Sequence, residues 1–82
     1  MADIVFTTHA RAAMAERNIK EEWVWRTIES PKRTEVGKDA NTHFLKTIPE
    51  FDDRILRVVV NKNIQPNRIV TVFFDRRMRR KR

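Results

Sequence analysis

The side chains best suited to chemistry in this chain are two histidines and a scattered group of arginines and lysines. Histidine exchanges a proton near neutral pH, and the planar guanidinium of arginine binds two phosphate oxygens at once. Metal-free RNA cleavage needs such groups: a base for the attacking 2′-OH, an acid for the leaving 5′ oxygen, and cations to offset charge on the phosphorane. Such proton transfer is typically worth about 10²–10⁴ in rate. The cationic set comprises His9, Arg11, Arg17, His43, Lys46, Arg57 and Arg68.

Other kinds of chemistry have less support in the sequence. The chain has no cysteine and only two histidines, and its aspartates follow no ligand spacing, so no metal site is predicted. Gly37 is the single glycine, which argues against a glycine-rich phosphate loop, and the only serine, Ser30, precedes a proline. We therefore expect no cofactor, no metal and no serine nucleophile.

Each candidate residue also has a purely structural interpretation. His9 lies at a helix start, where free N–H groups bind anions, but a histidine beside a threonine cap is as often structural. Arg17 is equally explained as a solvated helix end. Lys46 and Arg57 stand among apolar strand residues, and each therefore needs a partner, an exposed edge or a ligand. Thr71 is either a β-former or a hydroxyl that positions a phosphate.

The composition predicts one soluble domain. The chain has 82 residues, of which 40% are apolar and 35% charged. It contains no apolar run long enough to cross a bilayer and no recognisable signal peptide. Together with the absence of cysteine, these features predict a cytoplasmic protein with no membrane association.

The net charge of +7 is concentrated at one end of the chain. Residues 76–82, the basic tail, hold six bases, and the remaining twelve bases stand against eleven acids. Such a block attracts a phosphate backbone or an acidic partner without reading a sequence, or it serves only as a solubilising end. We predict a domain over residues 1–75 followed by this tail, which is expected to be mobile.

Two helices are predicted after a short β-type segment at residues 3–6. Thr7 or Thr8 caps the first helix, and Asn18 suits the left-handed residue that ends it. The second helix stops before Pro31, because proline disfavours helical geometry in the preceding residue. Alanines make one face of the first helix thin. That face comprises Ala10, Ala13, Met14 and Arg17. In the second helix, the apolar stripe is flanked by Trp23 and Trp25.

After the second helix the hydrophobic period changes to two, which is typical of strands. The order of elements predicts an α+β domain with two N-terminal helices packed on an antiparallel sheet of three or four strands. The last two strands are apolar on both faces, so either they are central or their second face is partly covered. If Arg57 lies opposite Thr71, the two share a site, and a one-residue slip separates them. The strand segments are Lys32–Val36, Thr42–Ile48, Ile55–Val60 and Arg68–Phe74.

The order of these motifs resembles a small bacterial and archaeal family of unknown function. Its members read Ser/Thr-His-Ala, then Arg-Gly-Ile, then spaced valine and isoleucine, then an Ile-Val-Thr-Val strand. Asn18 replaces the usual glycine, and Lys20 replaces the usual cap of the second helix. The matching segments are Phe6–Ala10, Glu16–Ile19, Val24, Ile28, Ser30–Pro31 and Ile69–Val72.

This family is usually grouped with RelE- and BrnT-like toxins, in the barnase–EndoU–colicin–RelE ribonuclease superfamily. The resemblance implies a RelE/BrnT-like fold, metal-independent ribonuclease activity and an antitoxin partner. By motif position, His9 and Arg17 are the helix residues of the site and Thr71 the strand residue. Arg57 joins them from the cationic set. The candidate RNA-binding residues are Arg11, His43, Lys46, Arg68, Arg76, Arg77, Arg79 and Arg80.

Our first hypothesis is therefore a metal-free ribonuclease of the toxin type, which cuts mRNA or ribosome-bound RNA and is held by an acidic antitoxin. His9 acts as general acid or base, and His9→Ala is predicted to abolish cleavage. A non-catalytic RNA- or ribosome-binding module is the second hypothesis, and removal of the basic tail is predicted to cost it most salt-sensitive affinity. A protein-interaction domain with an acidic partner is the third. The sequence leaves the oligomeric state open.

Overall fold

The computed structural model describes residues 4–76 and confirms the α+β fold, with two helices packed on one sheet. Apart from Arg76, the basic tail lies outside the described residues. Within residues 4–76, no helix is both long enough and apolar enough to span a bilayer. The elements are β1 (Ile4–Phe6), α1 (Thr8–Arg17), α2 (Glu21–Glu29), β2 (Arg33–Val36), β3 (Thr42–Ile48), a 3₁₀ turn (Pro49–Phe51), β4 (Arg54–Asn61) and β5 (Asn67–Phe74).

The sheet has five strands in the order β1-β5-β4-β3-β2. The sheet has more strands than the three or four predicted, because β1 joins it as a further strand. This strand runs parallel to β5, so the sheet is mixed. A parallel pair needs a long connection, so no local hairpin signal reveals it. Of the two alternatives for the last two strands, the central position is confirmed, since β4 and β5 each have a strand on both sides.

The two faces of the sheet differ in their chemistry. On one face, Leu56, Val58 and Val60 of β4 are fully buried in the core beneath the helices. Because side chains alternate along a strand, Arg57 and Val59 point to the opposite face. We call this opposite face the rear face, and its centre is formed by His43, Leu45, Arg57 and Val59. The helices and the rear face are therefore separated by the sheet.

Helix α1 packs closely on the sheet through small residues. Ala10 and Ala13 are buried, as the alanine spacing predicts, and Met14 completes their face. Asn18 ends the helix with φ of 57°, in the left-handed region, and its N–H donates to the carbonyl oxygen of Met14. The predicted left-handed end is confirmed, and so is the thin face through its two alanines and Met14, whereas Arg17, predicted on the same face, is exposed.

The two tryptophans have different roles in the packing. Trp23 is buried and contacts the rings of Phe51 and Phe74, with centroid distances of 5.8 and 6.3 Å. Trp25 is half-buried and meets the ring of Phe6 edge-on at 5.5 Å. Trp25 thus covers the seam between α2 and β1, while Trp23 fills the core.

The hydroxyl of Thr7 joins α1 to β5. It accepts a hydrogen bond from the N–H of Ala10 at 3.0 Å and donates to the carbonyl oxygen of Ile69 at 2.9 Å. The first bond caps the helix, and the second ties the cap to a central strand. One side chain therefore fixes the position of the helix start relative to the sheet.

Thr7→Ala is expected to lower the free energy of unfolding by about 1–2 kcal/mol, because it removes both hydrogen bonds of the cap. Urea unfolding followed by tryptophan fluorescence measures the change. Thr8→Ala is the matched control, since Thr8 is exposed and its side chain bonds to none of the described residues. Equal losses in the two variants would contradict the assignment of the cap to Thr7.

A charged pair links α2 to the turn that follows β3. Arg26 donates to both carboxylate oxygens of Glu50, at 2.9 and 2.8 Å. These hydrogen bonds lower the pKa of Glu50 to about 2, from the usual value of 4.5. The geometry is the bidentate form, which is the stronger kind of arginine–carboxylate contact.

The contribution of Glu50 to stability is expected to be complete above about pH 4.5 and to disappear as the pH falls toward 2. The sign follows from the direction of the shift, since protonation of Glu50 in the folded state breaks its contact with Arg26. Urea unfolding of wild type and Glu50→Gln at several pH values measures this difference. Glu29→Gln, which removes a charge without a partner among the described residues, is the control. A gap between wild type and Glu50→Gln that is unchanged at pH 2 would contradict the prediction.

Candidate functional site on the rear face

Four residues form a checkerboard at the centre of the rear face. His43 lies opposite Val59, and Leu45 lies opposite Arg57, on the neighbouring strands β3 and β4. Leu45 and Val59 are only 2% and 3% exposed. The side chains of Arg57 and His43 are 12% and 15% exposed. Two polar groups thus lie diagonally between two buried apolar groups, where their electrostatic interactions are stronger than in water.

The guanidinium of Arg57 is anchored by Asp75. Its Nε and NH2 groups donate to the same oxygen, Oδ2 of Asp75, at 2.8 and 2.7 Å. Asp75 follows β5 directly, its side chain is 4% exposed, and its backbone N–H donates to the carbonyl oxygen of Ile55 at 2.9 Å. These contacts fix the plane of the guanidinium and leave NH1 directed toward His43.

His43 accepts a hydrogen bond from Arg57. The NH1 group donates to Nδ1 of the imidazole at 2.8 Å. A guanidinium has no acceptor, so Nδ1 carries a lone pair and the ring proton of the neutral form is on Nε2. The Nε2–H group donates to Oδ1 of Asp39 at 3.3 Å. The hydrogen bonds therefore assign one tautomer, in which the basic nitrogen faces the arginine.

The turn between β2 and β3 holds Asp39 against the imidazole. The backbone N–H of Asn41 donates to Asp39 at 3.0 Å and is the main reason that the pKa of Asp39 lies below its usual value, and the hydrogen bond from His43 lowers it further. Ala40 in the same turn has φ of 66°, in the left-handed region that favours glycine. The only glycine is instead at position 37.

Gly37 provides the space for the imidazole. A Cβ at this position would lie 2.6 Å from Nε2 of His43 and 2.8 Å from Oδ1 of Asp39. Both distances are below ordinary van der Waals contact, so a side chain here would displace the histidine or the aspartate. The absence of a side chain at Gly37 is therefore tied to the position of His43.

The rest of the rear face adds hydroxyl and charged groups around the cluster. Glu35 on β2 approaches NH1 of Arg57 at 3.9 Å. On β5, Thr71 pairs with Val59 and Phe73 pairs with Arg57. The register in which Arg57 lies opposite Thr71 is therefore not adopted. Thr71 is a diagonal neighbour of Arg57 on the same face, within reach of a ligand that also contacts the arginine.

Arg68 lies further along the same face. It pairs with Asn61 across β4 and is exposed, whereas the adjacent Ile69 is buried in the core. Arg76 follows Asp75 directly and is exposed. The other predicted tail residues, Arg77, Arg79 and Arg80, lie outside the described residues.

The structure does not bring His9 and Arg17 to this cluster. Both are exposed residues of α1, which packs on the opposite side of the sheet from Arg57. They are eight positions apart in one continuous helix, or about 12 Å along its axis. Neither a hydrogen bond nor an ion pair joins His9 to any described residue. A site shared by His9, Arg17 and Arg57 is therefore not formed.

Two other predicted RNA-binding residues have partners on the helix side. Lys46 donates to the carbonyl oxygen of Ser30 at 2.7 Å, at the end of α2, where a cation suits the helix dipole. Arg11 forms an ion pair with Glu21 at 3.1 Å and lies over the ring of Phe6 at 4.3 Å. Lys46, which stands among apolar strand residues, therefore has its polar partner within the protein.

Sequence reasoning missed the acidic residues of the cluster. Asp75, Asp39 and Glu35 surround the histidine and the arginine, yet they lie in three separate elements. One signal was present: Asp75 is a single acid between the strongest strand and six bases. Such an acid is a natural anchor for a cation on the neighbouring strand.

The comparisons with known proteins identify a family and no characterised relative. A model of the family described as "Domain of unknown function (DUF4258)" matches residues 6–74. No curated protein and no solved structure matches the chain. Within residues 4–76, no cluster of three or more histidine, aspartate or glutamate side chains is arranged to hold a metal ion.

Proposed function

The chain belongs to the DUF4258 family, a domain family of unknown function, and we propose that it is an endoribonuclease that cleaves RNA without a metal ion. The observation that carries the proposal is the contact between Nδ1 of His43 and NH1 of Arg57, at 2.8 Å, on the rear face. It joins a proton acceptor to a phosphate-binding group at one partly exposed position. The resemblance to RelE- and BrnT-like toxins supports the same chemistry.

In the proposed reaction, a phosphate of the RNA competes with His43 for Arg57. Once the phosphate takes the NH1 hydrogen bond, Nδ1 of His43 has a free lone pair and accepts the proton of the adjacent 2′-OH. The 2′ oxygen bonds to phosphorus while the bond from phosphorus to the 5′ oxygen breaks. The leaving oxygen takes a proton from water, and His43 returns its proton to solvent. The products are a 2′,3′-cyclic phosphate and a free 5′-OH.

The other groups of the rear face have binding and positioning roles in this proposal. Arg57 is held by Asp75, so it offsets charge on the phosphorane without reorganising at the moment of reaction. Asp39 keeps the imidazole oriented through Nε2. Thr71 offers a hydroxyl to the same phosphate, and Arg68 binds a neighbouring one. The basic tail raises the affinity for RNA without reading its sequence.

The experiment that tests the reaction compares two RNA oligonucleotides with the purified protein. One is all-ribose, and the other has 2′-deoxyribose at the cleaved position, which removes the attacking hydroxyl. We expect cleavage of the first, in the presence of EDTA, to give a 2′,3′-cyclic phosphate end, and no cleavage of the second. Cleavage of both substrates, or of no RNA under any condition, would exclude the proposed chemistry.

The proposal extends to the biological setting implied by the resemblance. We infer a cytoplasmic toxin that acts on mRNA or ribosome-bound RNA and is neutralised by an acidic antitoxin. Induced expression is expected to arrest growth, and co-expression of an acidic protein encoded beside this chain is expected to relieve the arrest. Normal growth at high expression would contradict the assignment as a toxin. It would not affect the test of RNA cleavage with the purified protein.

A non-catalytic RNA-binding module is the second candidate, and one observation favours it. Both ring nitrogens of His43 are engaged, by Arg57 and by Asp39, which is also the arrangement of a structural histidine. Truncation after Arg76 removes five bases and separates the two functions. A protein that only binds RNA is expected to lose its affinity for single-stranded RNA after this truncation. The slope of log K against log salt concentration is expected to fall in magnitude by up to about 3–4. An enzyme retains slow turnover.

A further inference from the structure

The outer edge of β2 has no partner strand within the described part of the chain. This strand ends the sheet, and all four of its residues are exposed. The N–H of Gly37 donates to the carbonyl oxygen of Asn41 across the hairpin. Because the direction of backbone groups alternates along a strand, those of Arg33 and Glu35 also face β3, and those of Thr34 and Val36 face outward. An edge of this kind is a template for another strand.

We propose that two copies of this chain associate in solution by antiparallel pairing of their β2 edges. The argument is charge complementarity. In a register centred on Thr34, Arg33 of each copy lies opposite Glu35 of the other, and the two Thr34 residues face each other. Opposite charges and paired threonines are favourable cross-strand neighbours. One short segment is thus complementary to itself, as a two-fold interface requires.

Pairing in this way joins the two sheets into one of ten strands. The two-fold axis of an antiparallel pair is perpendicular to the sheet, so both rear faces lie on the same side. At about 4.8 Å per strand, the β4 strands that carry Arg57 lie roughly 24 Å apart. The proposal concerns the edge alone and does not depend on ribonuclease activity.

The interface is small, so association is expected to be weak and dependent on concentration. Four residues on each side bury far less than the ~1,200–2,000 Å² of a stable interface. Sedimentation equilibrium over a wide range of concentration is the suitable measurement. Wild type is expected to show a reversible monomer–dimer equilibrium that weakens at high salt, because exposed charges contribute to it.

Charge reversal tests the register. Arg33→Glu and Glu35→Arg each bring like charges together twice across the two-fold axis, and each is expected to weaken dimerisation about tenfold or more. The double variant Arg33→Glu/Glu35→Arg restores both attractive pairs and is expected to recover the wild-type dimer. Thr34→Pro removes an outward N–H without touching the contact with β3, and it is expected to leave a folded monomer.

Three outcomes would overturn the proposal. The first is a wild-type protein that remains monomeric at every concentration. The second is a dimer that is equally strong in both single reversals, and the third is a dimer that persists in Thr34→Pro. Circular dichroism of each variant establishes that the monomer is folded. Amide hydrogen exchange gives an independent measure, since the N–H groups of Thr34 and Val36 become protected only in the dimer.

Discussion

Replacement of Arg57 by methionine is expected to lower the free energy of unfolding by about 3–5 kcal/mol. Its guanidinium gives two short hydrogen bonds to Oδ2 of Asp75, at 2.8 and 2.7 Å. The acidic side chain is 4% exposed, so water does not replace these bonds at low cost. Methionine occupies much of the same volume but donates no hydrogen bond. Urea unfolding followed by the fluorescence of Trp23 and Trp25 measures the loss.

Two further variants separate this pair from a general effect of charge. Arg33→Met removes an arginine of the same face whose side chain is 62% exposed, and the change is expected to stay within about 0.5 kcal/mol. Asp75→Asn removes the other member of the pair. The double variant Arg57→Met/Asp75→Asn is expected to lose less than the sum of the single losses, because both remove one interaction. A loss below about 1 kcal/mol in Arg57→Met, or strict additivity, would contradict the role of the pair.

Local signals predicted most of the fold. Alternation from Thr42 to Ile48 placed Phe44 and Ile48 on one side and His43 and Leu45 on the other, and the structure has this arrangement. The helix ends at Asn18 and before Pro31 also follow from single residues with strong backbone preferences. The parallel strand β1 did not follow. Its pairing depends on contacts between residues more than sixty positions apart, which no local pattern encodes.

The site was harder to predict than the fold, because it depends on strand register and on which face each element covers. The sequence identified Arg57 and His43 as members of one cationic set, but it did not bring the two together. Their contact requires the β3–β4 register, in which they are diagonal neighbours. The motif position of His9 pointed instead to the helix side. A histidine at a helix start is recognisable locally, whereas a histidine beside an arginine on the next strand is not.

His43→Gln is expected to lower the rate of RNA cleavage by about 10²–10⁴ while leaving the fold intact. Glutamine is the closest replacement, because its amide oxygen accepts from Arg57 and its amide N–H donates to Asp39, as the imidazole does. It does not take up a proton near neutral pH. The variant therefore keeps the hydrogen bonds of the cluster and removes only the base. Single-turnover cleavage of a fluorescent RNA oligonucleotide measures the rate, and urea unfolding measures the stability.

His9→Ala is the comparison that decides between the two histidines. The motif position predicts loss of activity in this variant, whereas a site on the rear face predicts a rate near that of wild type, because α1 lies across the sheet from Arg57. Gly37→Ala perturbs the same imidazole by another route, since its methyl group would meet Nε2 of His43 at 2.6 Å. An intermediate loss is expected there, because the ring is displaced but not removed. An inactive His9→Ala beside a fully active His43→Gln would return the active site to the start of α1 and leave the rear-face cluster with a structural role.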